Sequence, residues 1–273
     1  MSTSIDAILA QYEQNKSEKK TTGGQVDLTK YFTTMIPKGI NNGEKTFRIL
    51  PAADGSPFTE AHWHSIQVGG KWVKLYCPHH NDGQRCPLCD MEEALRLSGN
   101  PEKKQLSRQY RARKFYIVKG IDRDNEGEGV KFWRFPQNWK GEGVFDKIVP
   151  IIKKRGDITD LAEGRDLTII LGRDDKGYAK VVSIMAEDPA PLTEDKTLLE
   201  GWTANVDTYK DVYRSKSIEY LELVAQGETP VWDNEAKVFV AAEQEGTGSV
   251  AELENELNKV DGKDNLSSDQ LPW

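Results

Sequence analysis

Cysteine is scarce in this chain: Cys77, Cys86 and Cys89 are the only three, with no fourth to complete two disulfides. An odd, clustered set counts against a disulfide scaffold and fits a reduced, intracellular protein. No apolar run approaches the about 18 residues that a membrane-spanning helix needs, so no segment is expected to span a bilayer. The opening Met1-Ser-Thr-Ser-Ile-Asp6 has neither a basic nor an apolar stretch, which argues against a secretory signal. Apolar residues make up only 37% of the 273 positions against 30% charged, a balance that allows one sizeable core with polar appendages. A βαβ rhythm is missing, and so is a separate Asp/Glu/His constellation for two-metal chemistry. The net charge of −7 has the wrong sign for a nucleic-acid partner, but its distribution along the chain reverses that first impression.

The three cysteines stand in the spacing His64-x12-Cys77-x8-Cys86-x2-Cys89. Three soft thiolates and one imidazole suit a single tetrahedral zinc ion per chain, with Cys86-Pro87-Leu88-Cys89 as a tight chelating knuckle. His64 is the favoured fourth ligand, in competition with His62, His79 and His80, because all four histidines fall between 62 and 80. A strand through 61–66 would place His62 and His64 on one face, and Gly69-Gly70 can turn the chain back towards Cys77.

Between Arg96 and Lys119 the chain carries Arg96, Lys103, Lys104, Arg108, Arg111, Arg113, Lys114 and Lys119 against the single acid Glu102. Tyr110, Phe115 and Tyr116 are interleaved, followed by Phe132, Trp133, Phe135 and Trp139, with Lys131, Arg134 and Lys140 extending the basic set. Cations neutralise phosphates, and aromatic faces accept unstacked bases at about 1–3 kcal/mol each without reading their identity. The combination reads as a track for single-stranded nucleic acid, in which some of Tyr110, Tyr116, Trp133, Phe135 and Trp139 stack on bases and the remaining rings pack inside.

Alternation predicts strands over 110–118, 130–135, 45–50, 72–76, 167–171 and 178–184, with hairpin loops at 122–129 and 172–177. Short helices are expected at 90–97 and 145–152, the second broken or restarted around Pro150. This pattern favours a mainly β fold, an oligonucleotide-binding barrel interrupted by the metal-bearing insertion. The expected organisation is a flexible arm at 1–24, a core at 25–242 with the zinc subdomain at about 60–98, and an acidic tail at 243–273. The tail ends in Asp269-Gln-Leu271-Pro272-Trp273, an apolar tip on an anionic tether that suits a basic-rimmed pocket on a partner or the protein's own basic surface. Trp202, Tyr209, Tyr213 and Tyr220 read as packing residues of a further subregion.

On these residues the chain resembles the single-stranded DNA-binding, helix-destabilising proteins of T-even-type bacteriophages. The likeness runs from about Thr46 to Asp146. It takes in His64, Gly70-Lys71-Trp72, Cys77, Cys86-Pro87-x-Cys89, Arg108 to Val118, Val130-Lys131-Phe132-x-Arg134-Phe135 and Phe145-Asp146-Lys147-Ile148. The resemblance implies a non-catalytic protein that coats exposed DNA during replication, recombination and repair in the cytoplasm of the infected bacterium. It also implies zinc at the cysteine cluster, with His64 as its fourth ligand, cooperative self-association, and recruitment of replication and recombination proteins by the acidic tail. The family's basic N-terminal motif has a displaced counterpart in Lys19-Lys20-Thr21. Two other classes fit the zinc site alone: a protein-binding adaptor, and a metal-dependent nucleic-acid enzyme.

Overall fold

Strands form where β-branched and aromatic residues alternate with polar ones, and three of the helices described below open with Pro in the first turn. The computed structural model describes residues 28–52, 55–138 and 140–242. Its strands are β1 Tyr31–Phe32, β2 Gly43–Ile49, β3 Thr59–Val68, β4 Lys71–Tyr76, β5 Ala112–Asp122, β6 Val130–Pro136, β7 Leu167–Arg173, β8 Ala179–Ala186, β9 Pro230–Asp233 and β10 Val238–Ala241. The α-helices are α1 Pro78–Asp82, α2 Pro87–Leu97, α3 Pro101–Tyr110, α4 Val144–Arg155, α5 Lys196–Thr203, α6 Tyr209–Val212 and α7 Ile218–Ala225. The chain divides into two units, one made of residues up to 62, 113–173 and 179–214, the other of 63–112, 174–178 and 215 onward.

The first unit is a sheet in the order β1-β6-β5-β2-β7-β8, antiparallel throughout except that β1 runs parallel to β6. Phe47 and Ile49 of β2, Tyr116 and Val118 of β5, Trp133 and Phe135 of β6, and Leu167, Ile169 and Leu171 of β7 build its main core, which Val144 and Ile148 of α4 cover. Alternation turns Leu50, Ile121 and Val130 into a second cluster with Leu192 and Trp202. Gly120 sits opposite Ile49, where a Cβ would lie 2.5 Å from the Phe47 ring, so only glycine lets the two strands close over that ring. Arg48, fully buried on β2, donates to Asp166 Oδ1 at 3.2 Å and to the carbonyls of Asp160 and Ala190 at 2.9 Å each, which pins two loops to the sheet.

The expected barrel is corrected here. Among the described residues the strand path starts at β1 and stops at β8, and the unit is a mixed α/β fold with no closed barrel. The two-residue β1 offers too short an edge to reach round to β8, and α4 packs against β8 instead.

The second unit joins the β3–β4 hairpin to α1, α2, α3, α7 and the β9–β10 pair. Gly69 and Gly70 take φ of 54° and 76°, the left-handed pair that a two-residue hairpin turn requires, and this sets Val68 opposite Lys71. Its core is Ile66, Leu75, Cys77, Cys86, Leu88, Leu221, Val224 and Ala225.

Two expectations for local structure change. Helix α3 takes in Tyr110, and the strand expected over 110–118 starts only at Ala112. The Asn100 side chain accepts from the amides of Glu102 at 2.8 Å and Lys103 at 3.3 Å, and Pro101 opens the first turn, a start signal stronger than the alternation that follows. Helix α4 runs unbroken through Pro150 because Val144 and Ile148 on its inner face are anchored in the core, which outweighs one lost backbone bond.

Candidate metal centre and nucleic-acid interface

The metal centre lies wholly within the second unit. Cys77 and Cys86 each stand as the N-cap of a helix whose next residue is proline, so the chain uses the same local device twice to aim a sulfur from a helix start. Cys89 follows on the first turn of α2, and His64 arrives from β3. The ligand atoms of His64, Cys77, Cys86 and Cys89 all lie within 4.8 Å of one another. His64 Nε2 is 3.3 Å from Cys86 Sγ and 3.7 Å from Cys89 Sγ, while Cys77 Sγ and Cys89 Sγ are 3.5 Å apart. A tetrahedral ion with metal–sulfur bonds of about 2.3 Å and a metal–nitrogen bond of about 2.05 Å requires sulfurs about 3.8 Å apart and a sulfur–nitrogen distance of about 3.5 Å. These three distances meet that requirement to within a few tenths of an ångström, and the Cys77–Cys89 sulfur separation is far beyond the about 2.05 Å of a disulfide.

The second ring nitrogen decides which histidine serves. His64 Nδ1 donates to the carbonyl of Tyr110 at 2.6 Å, which fixes the ring and turns the Nε2 lone pair towards the sulfurs. His64 is fully buried, whereas His79 and His80 are exposed, and neither they nor His62 belong to the four-ligand group. The His80 amide instead lies 3.5 Å from Cys77 Sγ, a hydrogen bond that helps to hold the sulfur. In the metal-free cluster burial opposes a charged imidazole, but the hydrogen bonds and negative charge of Cys77 and Cys86 outweigh it and raise His64 from 6.5 to about 9. Hydrogen bonds from Cys77 and Cys89 hold the Cys86 thiol low, and the same sharing pushes Cys89 up.

The basic and aromatic residues divide sharply by burial. Lys103, Lys104 and Arg108 of α3, Arg111 just after it and Lys140 are exposed, while Arg113 and Lys114 at the start of β5 are half-buried. Lys114 pairs with Glu60 at 2.8 Å. Lys119 is half-buried and donates to the carbonyl of Asn205. Lys131 is buried and paired with Glu128 and, at 3.5 Å, with the buried Asp122. Arg134 lies over the rings of Phe115 at 5.5 Å and Tyr213 at 4.8 Å, half-buried between them.

Among the aromatics, Trp133 is 1% exposed, Phe135 2% and Tyr116 8%. Trp133 packs edge-on against Phe32 and Phe135, and Tyr116 stacks on Phe145 at 4.4 Å. These three rings pack in the core, the place expected for those members of the aromatic set that do not stack. Tyr110 is half-buried. Trp72, 48% exposed on β4 beside the exposed Lys71 and Lys74, offers an open ring that composition alone did not single out as a stacking face. The exposed charge at 71 and 74 in a strand whose Val73 and Leu75 face the core was the available signal. Trp139, Lys19-Lys20-Thr21 and the terminal Asp269, Leu271, Pro272 and Trp273 lie outside the described residues.

The first unit is an open mixed sheet, the second holds a four-ligand cluster, and α3 carries exposed cations of the kind that contact a nucleic-acid backbone. A family model described as gp32 DNA binding protein like matches residues 41–261, and the chain belongs to that family of single-stranded DNA-binding proteins. It binds and protects single-stranded DNA independently of sequence in phage replication, recombination and repair, and it is not an enzyme. No curated protein matches it. No helix among the described residues is long and apolar enough to cross a membrane.

Proposed function

We propose that His64, Cys77, Cys86 and Cys89 hold one zinc ion per chain, and that Lys103, Lys104, Arg108, Arg111, Arg113, Lys114 and Lys140 carry the DNA backbone. The ion has no open coordination position for chemistry, so its role is to hold β3, α1 and α2 together. Tyr110 and Trp72 supply faces on which unpaired bases stack. Because the surface takes single strands and not duplex, coating shifts the strand-separation equilibrium by mass action rather than by turnover.

One observation carries this reading: the exposed cations of α3 run along the sequence without interruption into Arg111 and the start of β5, in a chain of a single-strand-binding family. Fluorescence titration with single-stranded DNA, duplex DNA and RNA at several salt concentrations tests it. The triple variant Arg111→Gln, Arg113→Gln, Lys114→Gln is expected to weaken binding and to flatten the salt dependence by about 0.7 for each phosphate that is no longer neutralised. Wild-type affinity and slope in that variant would sink the assignment. The acidic tail at 243–273 is proposed to recruit replication and recombination proteins through Asp269, Leu271, Pro272 and Trp273, with self-association on DNA, in the cytoplasm of the infected host. Deleting the tail then removes partner binding and preserves or tightens DNA binding; markedly weaker binding to DNA would contradict this.

A further inference from the structure

The register of the first unit sets Tyr31 of β1 opposite Phe132 of β6, and Phe132 opposite Lys119 of β5. Residues directly opposite share a face, so Tyr31, Phe132 and Lys119 form one row, with Arg134 two residues along on the same side. Lys30, immediately before β1, stands beside that row. This is a basic and aromatic surface in its own right, and a strap made of residues 204–214 fastens across it.

The strap takes up each polar group of the row. Asp207 pairs with Lys30 at 2.7 Å, and the Asn205 carbonyl accepts from Lys119. Tyr31 Oη donates to the Val212 carbonyl at 3.0 Å, and the Tyr213 ring lies 4.8 Å from the Arg134 guanidinium and 4.9 Å from the Tyr31 ring. Asp207 sits in the field of two cations: its carboxyl is held below the usual range first by the Lys30 hydrogen bond, then by that of Asn205, with the charges of Lys30 and Lys119 acting in the same direction. Neither Lys30 nor Asp207 is deeply buried, with side chains 38% and 33% exposed, so their pairing does not have the character of a core ion pair and is open to exchange.

We propose that Lys30 and Lys119 form a phosphodiester-binding site, held occupied in the free protein by the strap's own Asp207 carboxylate and Asn205 carbonyl, which a DNA phosphate displaces on binding. A carboxylate seated on one ammonium and within the field of a second is a stand-in for a phosphate oxygen pair, and both anions make the same charge-assisted hydrogen bonds. The exchange costs the protein one partly exposed ion pair and the Lys119–Asn205 hydrogen bond, and returns contacts from both ammoniums to the phosphate. The inference rests on the reading of the chain as a single-strand binder; Lys119 is the last cation of the Arg96–Lys119 run, whereas Lys30 stands outside it.

The test is a titration of the full chain with an oligothymidylate over a salt series, for wild type, Asp207→Asn, Lys30→Gln and the double variant. Asp207→Asn is expected to bind about two- to fivefold more tightly, the equivalent of one exposed ion pair no longer competing. In the Lys30→Gln background the same substitution is expected to gain nothing, because the masked cation is gone. Asp207→Asn binding no more tightly than wild type would overturn the proposal, as would an equal gain in both backgrounds, which would mark a general charge effect. Should Asp207→Asn fail to fold by circular dichroism, Lys30→Gln with Lys119→Gln decides: the proposal requires the salt slope to fall by about 0.7, and an unchanged slope refutes it. A wild type that does not bind the oligonucleotide would refute the single-strand reading itself, whereas binding by wild type with no effect at Asp207 refutes only the exchange.

Discussion

Replacing His64 by alanine is the sharpest test of the metal centre. The substitution removes the ring nitrogen that lies 3.3 and 3.7 Å from the Cys86 and Cys89 sulfurs, distances that match a tetrahedral shell. It leaves three thiolates with water as the fourth ligand, and it orphans the Tyr110 carbonyl that the ring now satisfies at 2.6 Å. Losing only the partner that orients a ligand costs about 10- to 100-fold in metal affinity, so losing the ligand itself is expected to cost at least 100-fold, or about 2.7 kcal/mol. Folding stability without metal falls as well, by about 1 kcal/mol for the hydrogen bond and about 2 kcal/mol or more for the emptied site in a packed core. Metal content after purification, competition with a chelator of known affinity, and thermal melts with and without zinc give the three readouts. The double variant His79→Ala, His80→Ala is expected to keep wild-type metal affinity. If it loses metal while His64→Ala retains it at wild-type affinity, the ligand set deduced from the geometry is wrong.

The remaining predictions concern the same structure from other sides. Trp133→Leu is expected to lower stability by about 2–4 kcal/mol in urea denaturation while leaving DNA affinity per folded molecule unchanged, because the ring is walled in by Phe32, Phe47 and Phe135; a loss of about 1 kcal/mol or more in affinity would return it to the stacking set. Arg48→Met removes a fully buried guanidinium from Asp166 and two carbonyls and is expected to cost about 3 kcal/mol, near the lower end for broken buried pairs, since Asp166 keeps the two 3.0 Å bonds from Arg123; a change under about 1 kcal/mol would contradict the latch. Zinc uptake at neutral pH is expected to release protons, because His64 in the metal-free cluster, raised from 6.5 to about 9, gives up its proton to bind. By the same shift the metal-free fold has its His64 contribution in full below about 6.5 and loses it as pH rises through about 9, whereas acid strips the metal from the loaded fold. The melting difference between loaded and stripped protein therefore shrinks as pH falls, and calorimetry in two buffers that shows no proton release would refute this linkage.

Much of the site is legible in one dimension because chelation is a local matter. A Cys-x-x-Cys knuckle must bring two sulfurs near one point, Cys77 lies close enough in sequence to join them through α1, and Gly69-Gly70 with β4 links it back to His64. The strands at 45–50, 72–76, 130–135 and 167–171 are also visible, since alternation is a property of neighbours. Helix α3 carried no expectation: its capping signal at Asn100-Pro101 is two residues long, and the strand expected over 110–118 took in its last residue, Tyr110.

What the sequence by itself determined, then, is the chemistry on offer: three thiolates and a choice of imidazoles, a run of cations with rings among them, and a family likeness that the match over 41–261 bears out. Only the tertiary structure decided which members of those sets meet. The Tyr110 carbonyl at the end of α3 brings out His64 from four histidines, and the sheet draws Trp133, Phe135 and Tyr116 into the core while Trp72 stays outside. Asp207 reaches Lys30 across 177 positions of chain. Local spacing can encode a chelate or a strand, but burial and partnership depend on contacts between residues far apart in sequence, and those exist only once the chain has closed its cores.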